Sequence, residues 1–373
     1  MFDNYVSICQ DLKDYKKEVK TMKKIVMTGG GTAGHVTPNL ALVPYLKDAG
    51  YEIFYIGSYT GIEKKLVENA GIAYYGISSG KLRRYHDWKN FTDPFRVIKG
   101  FGEANQLLKH IKPDAVFSKG GFVSVPVVMA AARLHIPAII HESDMTPGLA
   151  NKLAIPFATK VCCNFPETME YLPEGKAVHT GSPIRQELFT GEREKGLEFC
   201  GFNNEKPVIL IMGGSIGSKF INNAVWNALD TLLENFQIIH LVGKGNINEK
   251  YNNIEGYRQF EFVSEQLNDV FAMTDLMISR AGANSISEIL ALKIPNILIP
   301  LSAAASRGDQ ILNAESYKKQ GFSTVIQEEE LTSEILIDSV MDVYNRKDAI
   351  KTTMETSHLL DANATILELI KGL

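Results

Sequence analysis

Cysteine is scarce in this 373-residue chain: four thiols, at Cys9, Cys162, Cys163 and Cys200, two of them adjacent and none in a C-x-x-C pair. This spacing excludes a disulfide framework and suits a reducing compartment, so the chain reads as cytosolic. There is no H-E-x-x-H, no cysteine-histidine cluster and no Asp-x-Asp to hold a divalent ion against a nucleotide diphosphate, so no metal is expected. An excess of positive charge is also missing. With 39 basic and 43 acidic side chains the net charge is −4, which argues against nucleic acid as a partner. The longest apolar stretch, Val123 to Ile140, is interrupted by Arg133 and His135 and contains Pro126 and Pro137, so no membrane-spanning helix is expected. The first 21 residues mix both charges without an apolar run, unlike a signal peptide, and read as an extension ahead of Met22.

What is abundant is glycine at two turns. Gly29-Gly30-Gly31-Thr32-Ala33-Gly34 and Gly213-Gly214-Ser215-Ile216-Gly217-Ser218 each follow a short apolar strand, nearly half the chain apart. Around each, strands and helices alternate. The pattern predicts strands at Lys24 to Thr28, Glu52 to Ile56, Ile72 to Ile77, Ala115 to Ser118 and Ala138 to His141. Helices are predicted over Val36 to Ala49, Ile62 to Asn69 and Pro94 to Ile111. The rhythm restarts after Gly181-Ser182-Pro183, with strands at Val208 to Met212, Gln237 to Val242, Phe260 to Val263, Leu276 to Ser279, Asn296 to Pro300 and Thr324 to Gln327. Helices follow over Lys219 to Glu234, from Asn284, from Asp309 and from Leu359. Such alternation implies parallel sheets covered on both faces, in two α/β domains whose glycine turns face one cleft.

A glycine turn between strand and helix brings backbone N–H groups against a phosphate, and the helix terminus adds positive potential. Gly29-x-Gly31-x-x-Gly34 also fits a dinucleotide fingerprint, which requires an acid at the end of the next strand; here that strand ends Ile56-Gly57-Ser58, which counts against NAD. His35, directly after the turn, is placed either to take a proton or simply to cap and pack. Glu288 has two readings. Ser285-x-x-Glu288 is a capping box, yet it follows Arg280-Ala281-Gly282-Ala283-Asn284 at a strand's carboxyl edge, where a carboxylate can accept two hydrogen bonds from a ribose diol. With no metal, a departing diphosphate needs amides, helix dipoles and an arginine, for which Arg185 is the candidate. Between Gly76 and Phe101, Lys81, Arg83, Arg84 and Lys89 interleave with Leu82, Tyr85, Trp88, Phe91 and Phe95, a composition suited to an anionic lipid surface or to a loop with inward-packed rings.

Six segments occur in an order that resembles the MurG family of peptidoglycan glycosyltransferases. They are Gly30-Gly31-Thr32-Ala33-Gly34-His35, Gly120-Gly121-Phe122-Val123-Ser124, His141-Glu142-Ser143-Asp144, Gly181-Ser182-Pro183-Ile184-Arg185, Gly213-Gly214-Ser215-Ile216-Gly217, and Arg280-Ala281-Gly282-Ala283 through Glu288. The resemblance covers the chain from Met22 onward and leaves residues 1–21 outside it. It implies an α/β GT-B fold: an acceptor and membrane-associated Rossmann-like domain over 22–184, a UDP-sugar donor domain over 185–357, parallel sheets facing a central cleft, and a last helix, 358–373, returning to the first domain. The implied reaction is inverting transfer of N-acetylglucosamine from UDP-N-acetylglucosamine to the C4 hydroxyl of undecaprenyl-pyrophosphoryl-MurNAc-pentapeptide, lipid I, giving lipid II. No cofactor is implied, and the enzyme is expected at the cytoplasmic face of the membrane, bound peripherally to its anionic surface.

By the same resemblance, Thr32, Ala33 and Gly34 line the cleft at the donor sugar, and His35 is the base or orients the acceptor. Arg185 and Ser215 contact the diphosphate, Val263 flanks the uracil, Ala283, Asn284 and Ser285 form the turn against the nucleotide, Glu288 holds the ribose, and Gln310 contacts the donor sugar. Asp144 stands where many members carry asparagine. An ionised aspartate accepts but does not donate, so a contact to a sugar hydroxyl survives and one to a carbonyl or phosphate does not. The competing readings are a GT-B transferase with another lipid acceptor, a UDP-sugar epimerase of the same fold, and a non-catalytic nucleotide-sugar binder.

Overall fold

The structure is a computed structural model describing residues 22–80, 89–214, 216–304, 306, 308–357 and 361–373, with the backbone alone described for 89–95. In the first domain β1 (Lys23–Thr28) runs through the turn into α1 (Thr37–Asp48), β2 (Tyr51–Ser58), α2 (Ile62–Asn69) and β3 (Ala73–Ile77). There follow α3 (Lys89–Ile111), β4 (Ala115–Ser118), α4 (Ser124–Arg133), β5 (Ala138–Glu142), α5 (Leu149–Ala154), β6 (Lys160–Cys163) and β7 (Ala177–His179). The second domain contains α6 (Arg193–Cys200), β8 (Val208–Met212), α7 (Lys219–Leu233), β9 (Gln237–Leu241), β10 (Tyr257–Phe260), α8 (Leu267–Met273) and β11 (Leu276–Ser279). It continues with α9 (Ala283–Ala291), β12 (Asn296–Leu298), α10 (Asp309–Lys319), β13 (Ser323–Val325), α11 (Ser333–Asn345) and α12 (Lys347–Thr356), and α13 (Ala362–Lys371) ends the chain.

All pairings within the two sheets are parallel, in the orders β3-β2-β1-β4-β5-β6-β7 and β10-β9-β8-β11-β12-β13. Both are Rossmann orders, reversing direction between β1 and β4 and between β8 and β11. Ligands of open α/β sheets bind at such switch points, off the carboxyl ends of the strands. The turns after β1, β4, β8 and β11 carry four of the six motif segments; His141 to Asp144 and Gly181 to Arg185 lie at the end of β5 and after β7.

Alternation along the strands divides the first domain's core. Val26, Ile56, Val116, Ile140 and Val161 face Leu108, Val127 and Val128 on one side of the sheet. Ile25, Met27, Tyr55, Phe117 and Ile139 face Leu42, Leu46, Ile366 and Ile370 on the other. Two of these, Ile366 and Ile370, belong to α13, so the chain's last helix lies on α1. Asn363, one residue into that helix, anchors it by donating from Nδ2 to the Ile184 carbonyl at 2.7 Å. In the second domain Ser218 caps α7, its Oγ accepting from the Ile221 amide at 3.3 Å.

The strand expected at Phe260 to Val263 is displaced. β10 is an edge strand over Tyr257–Phe260, and its polar Arg258 and Gln259 hide it from an apolar scan. The short strands β6 and β7 were also outside the expected set.

Candidate functional site

The first glycine turn leads into a single 3-10 turn, Ala33–His35, before α1 begins. Thr32 and Ala33 are exposed, and Gly34 and His35 half-buried. The loop is pressed against its neighbour: Gly121 has φ +84°, and a Cβ there would collide with the Gly30 carbonyl. His35 Nδ1 lies 3.1 Å from the carbonyl oxygen of Lys119. A carbonyl only accepts, so Nδ1 carries the proton and Nε2 of the neutral ring keeps its lone pair. Burial first, and then the Lys119 charge, hold the His35 pKa below the usual 6.5; the hydrogen bond to Lys119 and the charges of Asp144 and Glu63 oppose this.

Lys119, directly after β4, is a residue the sequence reading missed. Its side chain is buried, with Nζ 2.6 Å from His141 Nδ1, 2.8 Å from Ser143 Oγ and 3.5 Å from Ser182 Oγ. His141 Nε2 donates to the Gly181 carbonyl at 2.8 Å, which leaves Nδ1 as an acceptor for the lysine. Burial pushes Lys119 down to about 7 despite Glu142 and Asp144 nearby. The sequence signal was a lone cation between a buried strand and Gly120-Gly121.

Glu142 organises the loop after β5. Its carboxylate accepts from the amides of Ser143 (2.9 Å), Asp144 (3.0 Å) and Gly148 (2.9 Å) and from Asn151 Nδ2 (2.8 Å). The loop carries Asp144 toward the second domain, where Oδ1 accepts from Asn313 Nδ2 on α10 at 3.1 Å. Asn313 also accepts from the Met145 amide at 3.0 Å and donates to the Ala281 carbonyl at 3.3 Å. It too was missed, although it lies three residues after Gln310, on the same side of one helix. Gln310 itself accepts from the Leu301 amide at 3.0 Å.

Helix α9 begins at Ala283 after Gly282, which puts Ser285 at its third position, and no side chain caps it. The capping-box reading of Ser285 and Glu288 is therefore overturned, because the helix starts earlier than that box requires. Asn284 Nδ2 instead donates across the cleft to the Gly34 carbonyl at 2.8 Å. Glu288 accepts from Arg185 Nη2 at 3.2 Å. Burial raises the Glu288 pKa, against the pull of Arg185. Two further polar atoms in this cleft, Arg185 Nε and Asn284 Oδ1, are buried without a partner among the described residues, an arrangement suited to a polar ligand.

Val263 is half-buried at the edge of the second domain's core, three residues past β10. Ser215 lies outside the described residues, as do Lys81 to Trp88 of the basic and aromatic segment and the side chains of Lys89, Phe91 and Phe95. No described helix is long and apolar enough to cross a membrane. Bonds from Asn284 to the Thr32–His35 turn, from Arg185 to Glu288 and from Asn313 to Asp144 thus bring these residues to one interdomain cleft, whereas the bond of Gln310 to Leu301 stays within the second domain. A cavity of about 650 Å³ also opens between the domains; it borders Ser287 and Leu290 of α9, but not Thr32 to His35, Asp144, Arg185, Asn284, Glu288 or Gln310.

Two family models match the chain, the glycosyltransferase family 28 N-terminal domain over residues 25–163 and the family 28 C-terminal domain over residues 208–369. A relative from Lachnospira eligens named UDP-N-acetylglucosamine–N-acetylmuramyl-(pentapeptide) pyrophosphoryl-undecaprenol N-acetylglucosamine transferase is 61% identical over 350 residues, covering 94% of this chain and 99% of its own. One of the same name from Clostridium perfringens is 55% identical over 348 residues, covering 93% and 98%. The crystal structure of Acinetobacter baumannii MurG superposes with a TM-score of 0.74 at 26% identity, covering 94% of this chain and all of that one. With two Rossmann-like domains in the GT-B arrangement and relatives of this identity, the chain belongs to glycosyltransferase family 28 and, within it, to the MurG family of N-acetylglucosamine transferases.

Proposed function

We propose that the chain transfers N-acetylglucosamine from UDP-N-acetylglucosamine to the C4 hydroxyl of the muramyl sugar of lipid I, giving lipid II with inversion at the anomeric carbon. The observation that carries this reading is the bond from Asn284 to the Gly34 carbonyl. It brings the helix with the ribose candidate Glu288 against the residue next to His35.

In this reading His35 Nε2 takes the C4 hydroxyl proton as that oxygen attacks C1 of the donor sugar. The bond from C1 to the phosphate oxygen breaks, and its electron pair leaves with UDP. One base suffices for a single displacement, and no covalent sugar intermediate forms. The growing charge on the diphosphate falls to Arg185 and to the amides of the second glycine turn at the start of α7. These groups do the work a metal ion does elsewhere, so transfer proceeds without one. Asp144, acceptor-only, suits a sugar hydroxyl. Membrane attachment at the cytoplasmic face is assigned to the basic and aromatic segment from Lys81 to Phe95, on its sequence alone. The test is to incubate the purified chain with labelled UDP-N-acetylglucosamine and a lipid I analogue in the presence of a chelator. A disaccharide lipid supports the reading; tight donor binding with no product supports the non-catalytic binder.

A further inference from the structure

The two glycine turns share their chemistry but not their contents. Glu63, at the second position of α2, folds its side chain back beneath the first turn and is completely buried. Its Oε2 accepts from the Gly31 amide at 3.2 Å, and its Oε1 accepts from the Ser58 amide at 3.0 Å and from Ser58 Oγ at 2.5 Å. Tyr74 Oη in turn holds the Ser58 carbonyl at 2.5 Å. A Cβ on Gly30 or on Gly61 would run into the carboxylate, so both glycines mark where the backbone closes around it.

Among the described residues no lysine or arginine pairs with Glu63. The charge is held by N–H and O–H donors alone, the surroundings that a glycine turn offers to phosphate oxygens. These hydrogen bonds outweigh burial and keep the carboxyl below its usual range. In the second domain, none of the described amides of Gly213, Gly214, Ile216 and Gly217 donates to a carboxylate; Gly217 donates to the Gly214 carbonyl at 2.9 Å.

We propose that Glu63 is a resident anion: it fills the phosphate position of the first glycine turn, denies that turn to nucleotide and pyrophosphate groups, and leaves it to present Thr32, Ala33 and His35 to uncharged sugar. Glu63 is thus a specificity-determining residue of the first domain. The donor-acceptor assignment above supplies only the identity of the anions excluded.

The experiment measures thermal unfolding of the full chain, with and without saturating UDP, in chloride buffers of constant ionic strength containing increasing formate or inorganic pyrophosphate. Wild type is expected to respond to neither anion at the first turn once UDP fills the donor site. Glu63→Ala is expected to melt lower, to recover with formate, and to bind pyrophosphate in the presence of UDP at least tenfold more tightly than wild type. Glu63→Ser, whose short side chain also vacates the site, is read in the same way if Glu63→Ala does not fold. Either variant matching wild type in its anion response overturns the proposal. The readout needs no turnover, so an inactive wild type with a formate-responsive Glu63→Ala would sink the transferase reading and leave this one standing.

Discussion

Arg185 Nη2 lies 3.2 Å from Glu288 Oε1, joining the segment between the domains to the helix assigned to the ribose. In this structure the diphosphate candidate and the ribose candidate are bonded to each other. Donor entry therefore exchanges one charge-assisted bond for two sets of contacts, and each partner is held in the cleft beforehand. Replacing Glu288 by alanine is expected to raise KM for UDP-N-acetylglucosamine about 10- to 100-fold, roughly 1.4–2.8 kcal/mol. The helix does not depend on Glu288 as a cap, so the melting temperature should change little. Steady-state kinetics beside a thermal melt check both. Because burial raises the Glu288 pKa, donor affinity should begin to fall at a higher pH, on acidification, than an ordinary glutamate would give.

His35→Ala removes the proposed base while leaving the nucleotide contacts in the second domain. Turnover should drop by about 10²–10⁴, with the affinity for UDP within a few-fold of wild type. Transfer rates beside calorimetric titration of UDP make the comparison. An equal loss in both would assign His35 to donor binding.

The acid limb of the pH–rate profile reports His35 in its neutral form. Its pKa is depressed, so activity is retained below the ordinary histidine value and is lost as pH falls through the depressed one. Lys119→Met removes a positive charge that contributes to the depression. The limb should move to higher pH, by up to about one unit, in a profile of kcat/KM. An unmoved limb would mean that the Lys119 charge does not reach the base.

Asn313 is fully buried and bonds Asp144, Met145 and Ala281, tying the two domains together. Asn313→Ala leaves the Met145 amide without its acceptor and should cost about 1–3 kcal/mol. We expect a lower melting temperature together with a reduced kcat/KM for both substrates, read by calorimetry and kinetics.

Charge reversal at Arg83 and Arg84 should reduce sedimentation with anionic vesicles and leave transfer to a soluble acceptor unchanged. Equal vesicle binding would remove this segment from membrane attachment.

The architecture was legible where compact apolar runs end in turn residues: α2, β4, β8 and β11 match their sequence-derived bounds. The edge strand β10 was not, since it carries the polar Arg258 and Gln259. The motif glycines pointed to the switch points, but the cleft itself depends on pairs that no local pattern encodes. Asn284 and Gly34 are 250 residues apart, and Asp144 and Asn313 169. Ser285-x-x-Glu288 misled because its spacing fits a cap, whereas the helix starts at Ala283. The sequence places no acid at the strand end Ile56-Gly57-Ser58 itself. Only folding shows Glu63 returning from the next helix to the same strand end.

The most direct test of the central claim is the linkage made by the purified chain. UDP-N-acetylglucosamine and a muramyl lipid acceptor are incubated with it, and the anomeric proton of the product is read by NMR. A single in-line displacement from the α-linked donor predicts a β linkage to C4. An α linkage, attachment at another hydroxyl, or no product from a chain that binds UDP would contradict the account.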